Sequence, residues 1–292
     1  MTESPLVSVA VPVWNGEQYL VRALDSILAQ TLTDLEVVIL DNASTDSTPA
    51  IAQMYVARDP RVRYIRHPQN IGSNPNFNAG ARATTGRYLK WLAADDTVEP
   101  TFLERCVAVL EADPSVALCT TRFRDVGPDD ELLGHHPYRF DLSGPDPVKR
   151  FGNLMCGDRG QRIMMGVIRR AVLDRTRLLA DYVGSDRAFV GEIALHGRIV
   201  EIPEELWSSR EHPQRSTHTR KSRAWDPRRR ARMIHLAIAR ELWRIIRVSP
   251  LTLRQRVECV VRLGLCLTRR GVRRISGSAR ASVRPRRPAG GA

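Results

Sequence analysis

Asp95 and Asp96 stand side by side after the apolar run Tyr88 to Ala94 and before Thr97. Two carboxylates at contact distance raise each other's pKa, so such a pair at a strand end is costly unless a cation or a donor sits between them. A divalent metal is the natural third party. Asp41 is another acid at the end of an apolar run, Glu36 to Leu40, and it begins the polar turn Asp41-Asn42-Ala43-Ser44-Thr45-Asp46. Left to itself, it reads as a ligand contact or as an acid that caps its own loop. Asp186 opens the helical run Arg187 to His196, where an N-cap is the simplest role.

The elements around these acids read as alternating strands and helices. Val7 to Val13 is rich in β-branched residues and too short for a helix, which predicts a buried strand. Tyr19, Leu20, Ala23, Leu24, Ile27 and Leu28 then form a helical stripe. A strand at Glu36 to Leu40 and a helix at Ser47 to Arg58, with Asp46 as N-cap, repeat the unit. Strands at Val62 to Arg66, before Asp95 and at Val116 to Thr121 continue it, with helices at Asn76 to Thr84 and Pro100 to Ala112. Such alternation argues for an α/β fold with an open, mostly parallel twisted sheet flanked by helices. Ligands of open α/β sheets lie beyond the carboxyl ends of the strands, where Pro12 to Asn15, Asp41 and Asp95-Asp96 all fall. Arg124 to Pro147 reads as an exposed connection, with His135-His136 in solvated loop. A helix at Asp181 to His196, a strand at Ile199 to Ile202 and the run Trp207 to His212 complete the domain.

The chain has 292 residues, is 42% hydrophobic and carries a formal charge of +13. That charge is uneven: from Arg210 onward there are 23 basic and 4 acidic residues, against 22 and 28 before it. The tail therefore meets something anionic while the body does different work. Residues 228–247 and 253–267 read as basic amphipathic helices, with Ile234, Ile238, Leu242, Ile245 and Ile246 on one stripe and Val257, Val260, Val261 and Leu265 on the other. The five cysteines show no paired framework and read as buried thiols in a reducing cytoplasm. Neither a signal peptide nor an apolar segment of about 18 residues is apparent.

Pro12-Val13-Trp14-Asn15-Gly16, Tyr19-Leu20, Asp41-Asn42-Ala43-Ser44-Thr45-Asp46, Asn70-Ile71-Gly72, Asn78-Ala79-Gly80, Gly86-Arg87-Tyr88 and Asp95-Asp96 occur in this order. Ser185-Asp186, Gly197, Pro203-Glu204 and Arg210-Glu211-His212 follow. Together, over about residues 6 to 215, they resemble the family-two inverting glycosyltransferases. The resemblance implies the GT-A fold over 1–212; beyond it, composition and spacing read as a basic helical extension over 213–275 and an Arg-, Pro-, Gly- and Ala-rich tail over 276–292 expected to be disordered.

It further implies a nucleotide-sugar donor, UDP-linked for preference, held by Pro12, Val13, Trp14, Asp41, Asn70, Gly72, Asn78 and Asp95. Asp41 would accept a pyrimidine N–H and Trp14 would lie against the base. Asp96, with His212 as a further ligand, would bind Mg2+ or Mn2+, Arg210 would contact diphosphate, and Asp186 would be the catalytic base. Two departures stand out: Asn42 replaces a common second Asp, and Phe77 a common Arg. The acceptor would be a polysaccharide or lipid-linked glycan at the cell surface. The protein would be cytoplasmic, with the basic helices resting on an anionic inner membrane face or packing on the domain. Nucleic acid is disfavoured by the few aromatics in the tail. A nucleotidyltransferase would want a Gly-rich basic loop where Trp14-Asn15-Gly16-Glu17 stands, and an inactive scaffold would not need the four acids.

Overall fold

Val37 and Ile39 of one strand enter one buried cluster, while Val38 and Leu40 between them enter a second. The first strand divides likewise, with Val7, Val9, Val11 and Val13 on one side and Ala10 on the other. Successive side chains of a strand point to opposite faces, so the sheet is covered on both. That is why these strands read as unbroken apolar runs. The computed structural model describes residues 4–136, 141–157, 160–182, 184–213 and 227–266.

The elements in order are β1 Val7–Val13, α1 Leu20–Leu28, β2 Leu35–Asp41, α2 Thr48–Arg58, β3 Val62–Arg66, α3 Ser73–Ala83, β4 Tyr88–Trp91, β5 Thr97–Val98, α4 Phe102–Ala112, β6 Val116–Val126 and β7 Leu132–His136. There follow α5 Pro147–Cys156, a 3-10 turn at Gly160–Met165, β8 Val167–Arg169, α6 Arg170–Leu173, α7 Ser185–His196, β9 Arg198–Arg210, α8 Pro227–Val248 and a last helix, α9, over 253–266. The sheet runs β3-β2-β1-β4-β8-β6-β9-β5, with β7 on β6. β3, β2, β1 and β4 are mutually parallel, and β8 is antiparallel to both β4 and β6. The carboxyl ends of β1, β2 and β4 therefore share one edge. Gly80 lets α3 approach that edge closely, since a Cβ there would lie 2.8 Å from that of Ala10.

Three regions differ from the sequence reading. β6 continues to Val126 and turns back through β7, so Leu132–His136 is a strand, not loop. His136 pairs with Asp125 at 2.7 Å and stacks on Phe123, and His135 meets Glu205 at 2.8 Å. β9 is one long strand through Pro203, which falls where its register against β6 shifts, a position that tolerates proline. Cys156 and Cys266 form a disulfide joining α5 to α9, against the expectation of thiols only; Cys106, Cys119 and Cys259 are free and buried. Cysteines 110 residues apart leave no local spacing pattern to read.

Ile238, Leu242, Ile245 and Ile246 of α8 and Cys259, Leu263 and Cys266 of α9 join the buried cluster that holds Phe151, Ala188 and Phe189. The inward face of α9 is thus not the Val257-Val260-Val261-Leu265 stripe, which is exposed. No helix of the described residues is long and apolar enough to cross a membrane. The Ile234 side chain, residues 214–226 and 267–275 of the expected helical extension and the segment 276–292, expected to be disordered, lie outside the described residues.

Two predictions follow from this packing. Glu192, buried on α7, has Oε1 unpartnered, while Oε2 accepts the Arg177 N–H at 3.1 Å. Burial pushes its carboxyl from 4.5 up to about 7. The unfolded chain loses this proton first, so stability falls as pH rises from about 4.5 to about 7. Glu192→Gln stays neutral, and its Tm relative to the parent is expected to be higher at pH 8 than at pH 5. For the disulfide, alkylation of denatured, unreduced protein followed by intact mass is expected to mark three cysteines, and all five after reduction.

Candidate active site

Two loops at the shared strand edge lock each other. Asn15 and Ala43 both take positive φ, of 50° and 60°, which turns the chain sharply after β1 and β2. The Asn15 N–H donates to Ser44 Oγ and the Thr45 N–H returns to Asn15 Oδ1, both at 2.9 Å. The Gly16 N–H donates to Thr48 Oγ1, and Asp46 accepts from the N–H groups of Glu17 and Thr48. Gly16 itself is required, because a Cβ would fall 2.5 Å from Val13 Cγ2. The Ser, Thr and Asp residues of the polar turn thus act mainly as loop fasteners.

These loops form one end of a cleft of about 660 Å3. Pro12, Val13, Trp14, Asn70, Asp95, Asp96, Asp186 and His212 line it together. Trp14 is 54% exposed. Asp41 does not line the cleft. Its carboxylate is fully buried, accepting the Ser44 N–H at 2.8 Å and the Tyr64 hydroxyl at 2.7 Å, with Arg66 3.4 Å away. The neighbouring Asn42 faces the cleft instead. Its amide donates to Asn70 Oδ1 and the Gly72 carbonyl, and its Oδ1 accepts the Ile71 N–H at 2.8 Å, leaving that oxygen one lone pair. Gly72, at φ 92°, shapes this wall through its backbone.

The acid pair divides into two environments. Asp96 is 2% exposed, and its oxygens accept the Trp207 indole N–H at 3.2 Å and the Arg210 backbone N–H at 3.0 Å. Asp95 is more open and meets His212 Nε2 at 3.0 Å. The like-charge cost is thereby met by donors from β9 and by an imidazole. Arg210 does not point into the cleft. Its guanidinium is buried against the carbonyls of Asp95, Gly127 and Pro128, the Asp130 carboxylate and the Tyr19 ring. Among the described residues no three His, Cys, Asp or Glu side chains gather to hold a metal unaided. Asp95 with His212 offers one hard oxygen and one imidazole nitrogen, a partial set of the kind that phosphate oxygens and waters complete around Mg2+ or Mn2+.

Asp186 sits in the first turn of α7, accepting the Arg187 N–H at 2.8 Å. That end of α7 is held by Asn74, whose amide donates to Ser185 Oγ and to the carbonyls of Ala180 and Tyr182. Asn78 is a fastener too: it exchanges two hydrogen bonds with the Leu179 backbone and stays outside the cleft. Arg162 is a cleft residue the sequence reading missed. It carries a guanidinium paired with Asp125 and Glu211 and laid over Phe123. No periodic or motif signal marks it, because it arrives on the 3-10 turn. Beneath the acids Lys90 is fully buried, donates to the Met165 carbonyl at 2.6 Å and has its pKa pushed down to about 8 by burial.

Comparisons with known proteins bear on the fold and the family. The family model described as Glycosyl transferase family 2 matches residues 8–175. Chondroitin synthase of Escherichia coli is 39% identical over 131 residues, 45% of this chain and 19% of that protein. YibD, an uncharacterized glycosyltransferase of Escherichia coli strain K12, is 32% identical over 187 residues, 61% of this chain and 52% of that one. The chain thus spans a fifth to a half of these curated relatives. Residues 1–349 of Staphylococcus aureus TarS, solved with UDP-GlcNAc, superpose with TM-score 0.69 at 18% identity, covering 88% of this chain and 71% of that one. The mannosyltransferase PcManGT of Pyrobaculum calidifontis, solved with GDP-Man and Mn2+, gives 0.55 at 20% identity, covering 91% and 81%. The fold is that of the GT-A glycosyltransferases, and the chain belongs to glycosyl transferase family 2.

Proposed function

We propose that the chain transfers a sugar from a nucleotide-diphospho-sugar, UDP-linked for preference, to a hydroxyl of a growing glycan, with inversion at the anomeric carbon and with a divalent cation. The observation that carries this reading is that one cleft is lined by all of these groups together: an aromatic and amide-lined pocket stands at the loop end, Asp95 with His212 in the wall, and Asp186 at the start of α7. Solved neighbours that hold UDP-GlcNAc or GDP-Man support a nucleotide-sugar donor. Relatives named as synthases of chondroitin and hyaluronan support a glycan acceptor.

At the base end, Trp14 offers a face for stacking and the remaining lone pair of Asn42 Oδ1 accepts a base N–H. This role moves from Asp41 to Asn42 because the Asp41 carboxylate is fully buried and turned into the loop, whereas Asn42 lines the cleft. A cation bound by Asp95 and His212 would offset the negative charge gathering on the departing nucleoside diphosphate. Asp96 keeps β9 in place so that His212 reaches Asp95. Asp186 takes the proton of the acceptor hydroxyl as its oxygen attacks the anomeric carbon from the face opposite the leaving group. The water-excluding walls come from Met164, Met165 and Leu179.

A thermal-shift screen of nucleotide-sugars with Mn2+ or Mg2+ identifies the base and tests the cation together. Asp95→Ala is expected to keep the parent Tm within a few degrees, to lose the cation-dependent shift and to cut transfer about a hundredfold or more. Asp96→Ala is expected to lower Tm in the absence of any ligand, because two buried N–H groups lose their acceptor at about 1–3 kcal/mol each. Equal Tm losses in both variants would contradict the division of roles. Asp186→Asn should reduce kcat about 10²- to 10⁴-fold while donor affinity, read by titration calorimetry, stays near the parent value. Near-normal turnover in that variant would remove Asp186 as the base.

A further inference from the structure

The helix α9 carries two apolar stripes at helical spacing, and only one of them is covered. Cys259, Leu263 and Cys266 face the core, where the disulfide to Cys156 fastens the helix to α5. Leu253, Val257, Val260, Val261 and Leu265, spaced by three, four and seven residues, lie on the opposite side at 44% to 79% exposure. Trp243 and Val248 at the end of α8 are exposed as well. Single exposed apolar residues need no explanation, but an aligned row does.

Arginines attend this row. Arg254 of α9, its side chain 90% exposed, pairs along the helix with Glu258 at 3.0 Å, and Arg244 of α8, 57% exposed, lies 3.7 Å from Glu241. Arg247 lies over the Trp243 ring, 5.3 Å from its centre. The whole stretch from Arg210 onward carries 23 basic and 4 acidic residues. A protein partner would have to supply matching acids around an apolar groove, and a second copy would bring the same positive charge to the contact. An anionic bilayer surface supplies both requirements: negative headgroups for the arginines and acyl chains for the stripe.

We infer that the outer face of α9, with the exposed end of α8, docks the protein on an anionic lipid surface, with Leu253, Val257, Val260 and Val261 entering the headgroup boundary. The contact is peripheral, since no helix of the described residues spans a bilayer. It is independent of the transfer reaction proposed above, so its test reads binding rather than activity.

The full chain is mixed with vesicles of phosphatidylcholine alone or with about 30% phosphatidylglycerol and floated on a density gradient. Partition onto the anionic vesicles and little onto the neutral ones is expected. The variant carrying Leu253→Ser, Val257→Ser, Val260→Ser and Val261→Ser is expected to retain its Tm, because these side chains are solvent-exposed, and to bind anionic vesicles at least about tenfold more weakly. Arg244→Gln with Arg247→Gln and Arg254→Gln should weaken binding and flatten its salt dependence. Binding by the serine variant equal to the parent would place the contact elsewhere in the basic tail and overturn the inference, as would failure of the parent to bind. Light scattering gives the other decisive outcome: a parent dimer that the serine variant reduces to monomer would assign the face to self-association instead.

Discussion

The buried carboxylate of Asp96 is the constraint on which the site depends. It sits at the end of the parallel half of the sheet and accepts N–H groups from Trp207 and Arg210, which belong to the last strand. The link spans more than a hundred residues of sequence and joins the two ends of the fold. A charge taken this far from water is tolerable only with fixed donors around it, so the end of β9 is held where those donors are needed. His212, two residues beyond Arg210, is thereby carried to Asp95. Arg210 contributes in the same way: its guanidinium binds carbonyls of three residues and an aspartate, which shapes the Gly127–Asp130 turn beside the cleft.

The opposite end of the cleft is stiffened by a different device. Each of the loops after β1 and β2 offers backbone N–H groups to side chains of the other, so neither takes its shape alone. Exposed loops with backbone groups left to water would move; these are fastened from Asn15 to Glu17 on one side and from Ser44 to Thr48 on the other. This end of the cleft is therefore braced by hydrogen bonds between the two loops. Preorganisation of this kind lowers the ordering cost of binding any ligand at this end of the cleft.

The fold was largely legible because strands buried on both faces, and helices with one apolar stripe, leave periodic marks in the sequence. The cleft was legible for the same reason: acids at parallel strand ends must share an edge. What was hidden is the direction of individual side chains. Asp41 and Asn42 are adjacent, and only the Tyr64 hydroxyl and the Ser44 N–H decide that the first turns inward. Asn78 and Arg210 look like ligand groups by type, yet each satisfies buried backbone carbonyls, a use no spacing pattern reports. Arg162 escapes notice for the converse reason, since its turn has no period. In α9 both stripes are apolar, and the buried one could be told from the exposed one only through the partner surface and the Cys156 bond.

The C-terminal helices also bear on the chemistry through α7. Leu242, Ile245 and Ile246 pack in the same cluster as Ala188, Phe189 and Val190, which belong to the helix that begins at Ser185 and carries Asp186. Glu241 pairs with Arg177 at 3.3 Å, and the Arg177 N–H reaches Glu192 one and a half turns beyond Asp186. Gly184, at φ 91° immediately before α7, has Ile238 of α8 against it. Taking these helices away would expose several large apolar side chains and loosen the N-terminal turn of α7, so the basic extension is structural support for the helix that carries Asp186. One segment thus packs its inner face behind the helix that carries Asp186 and leaves the outer apolar row of α9 exposed, so any contact made by that outer face is one packing layer away from the cleft.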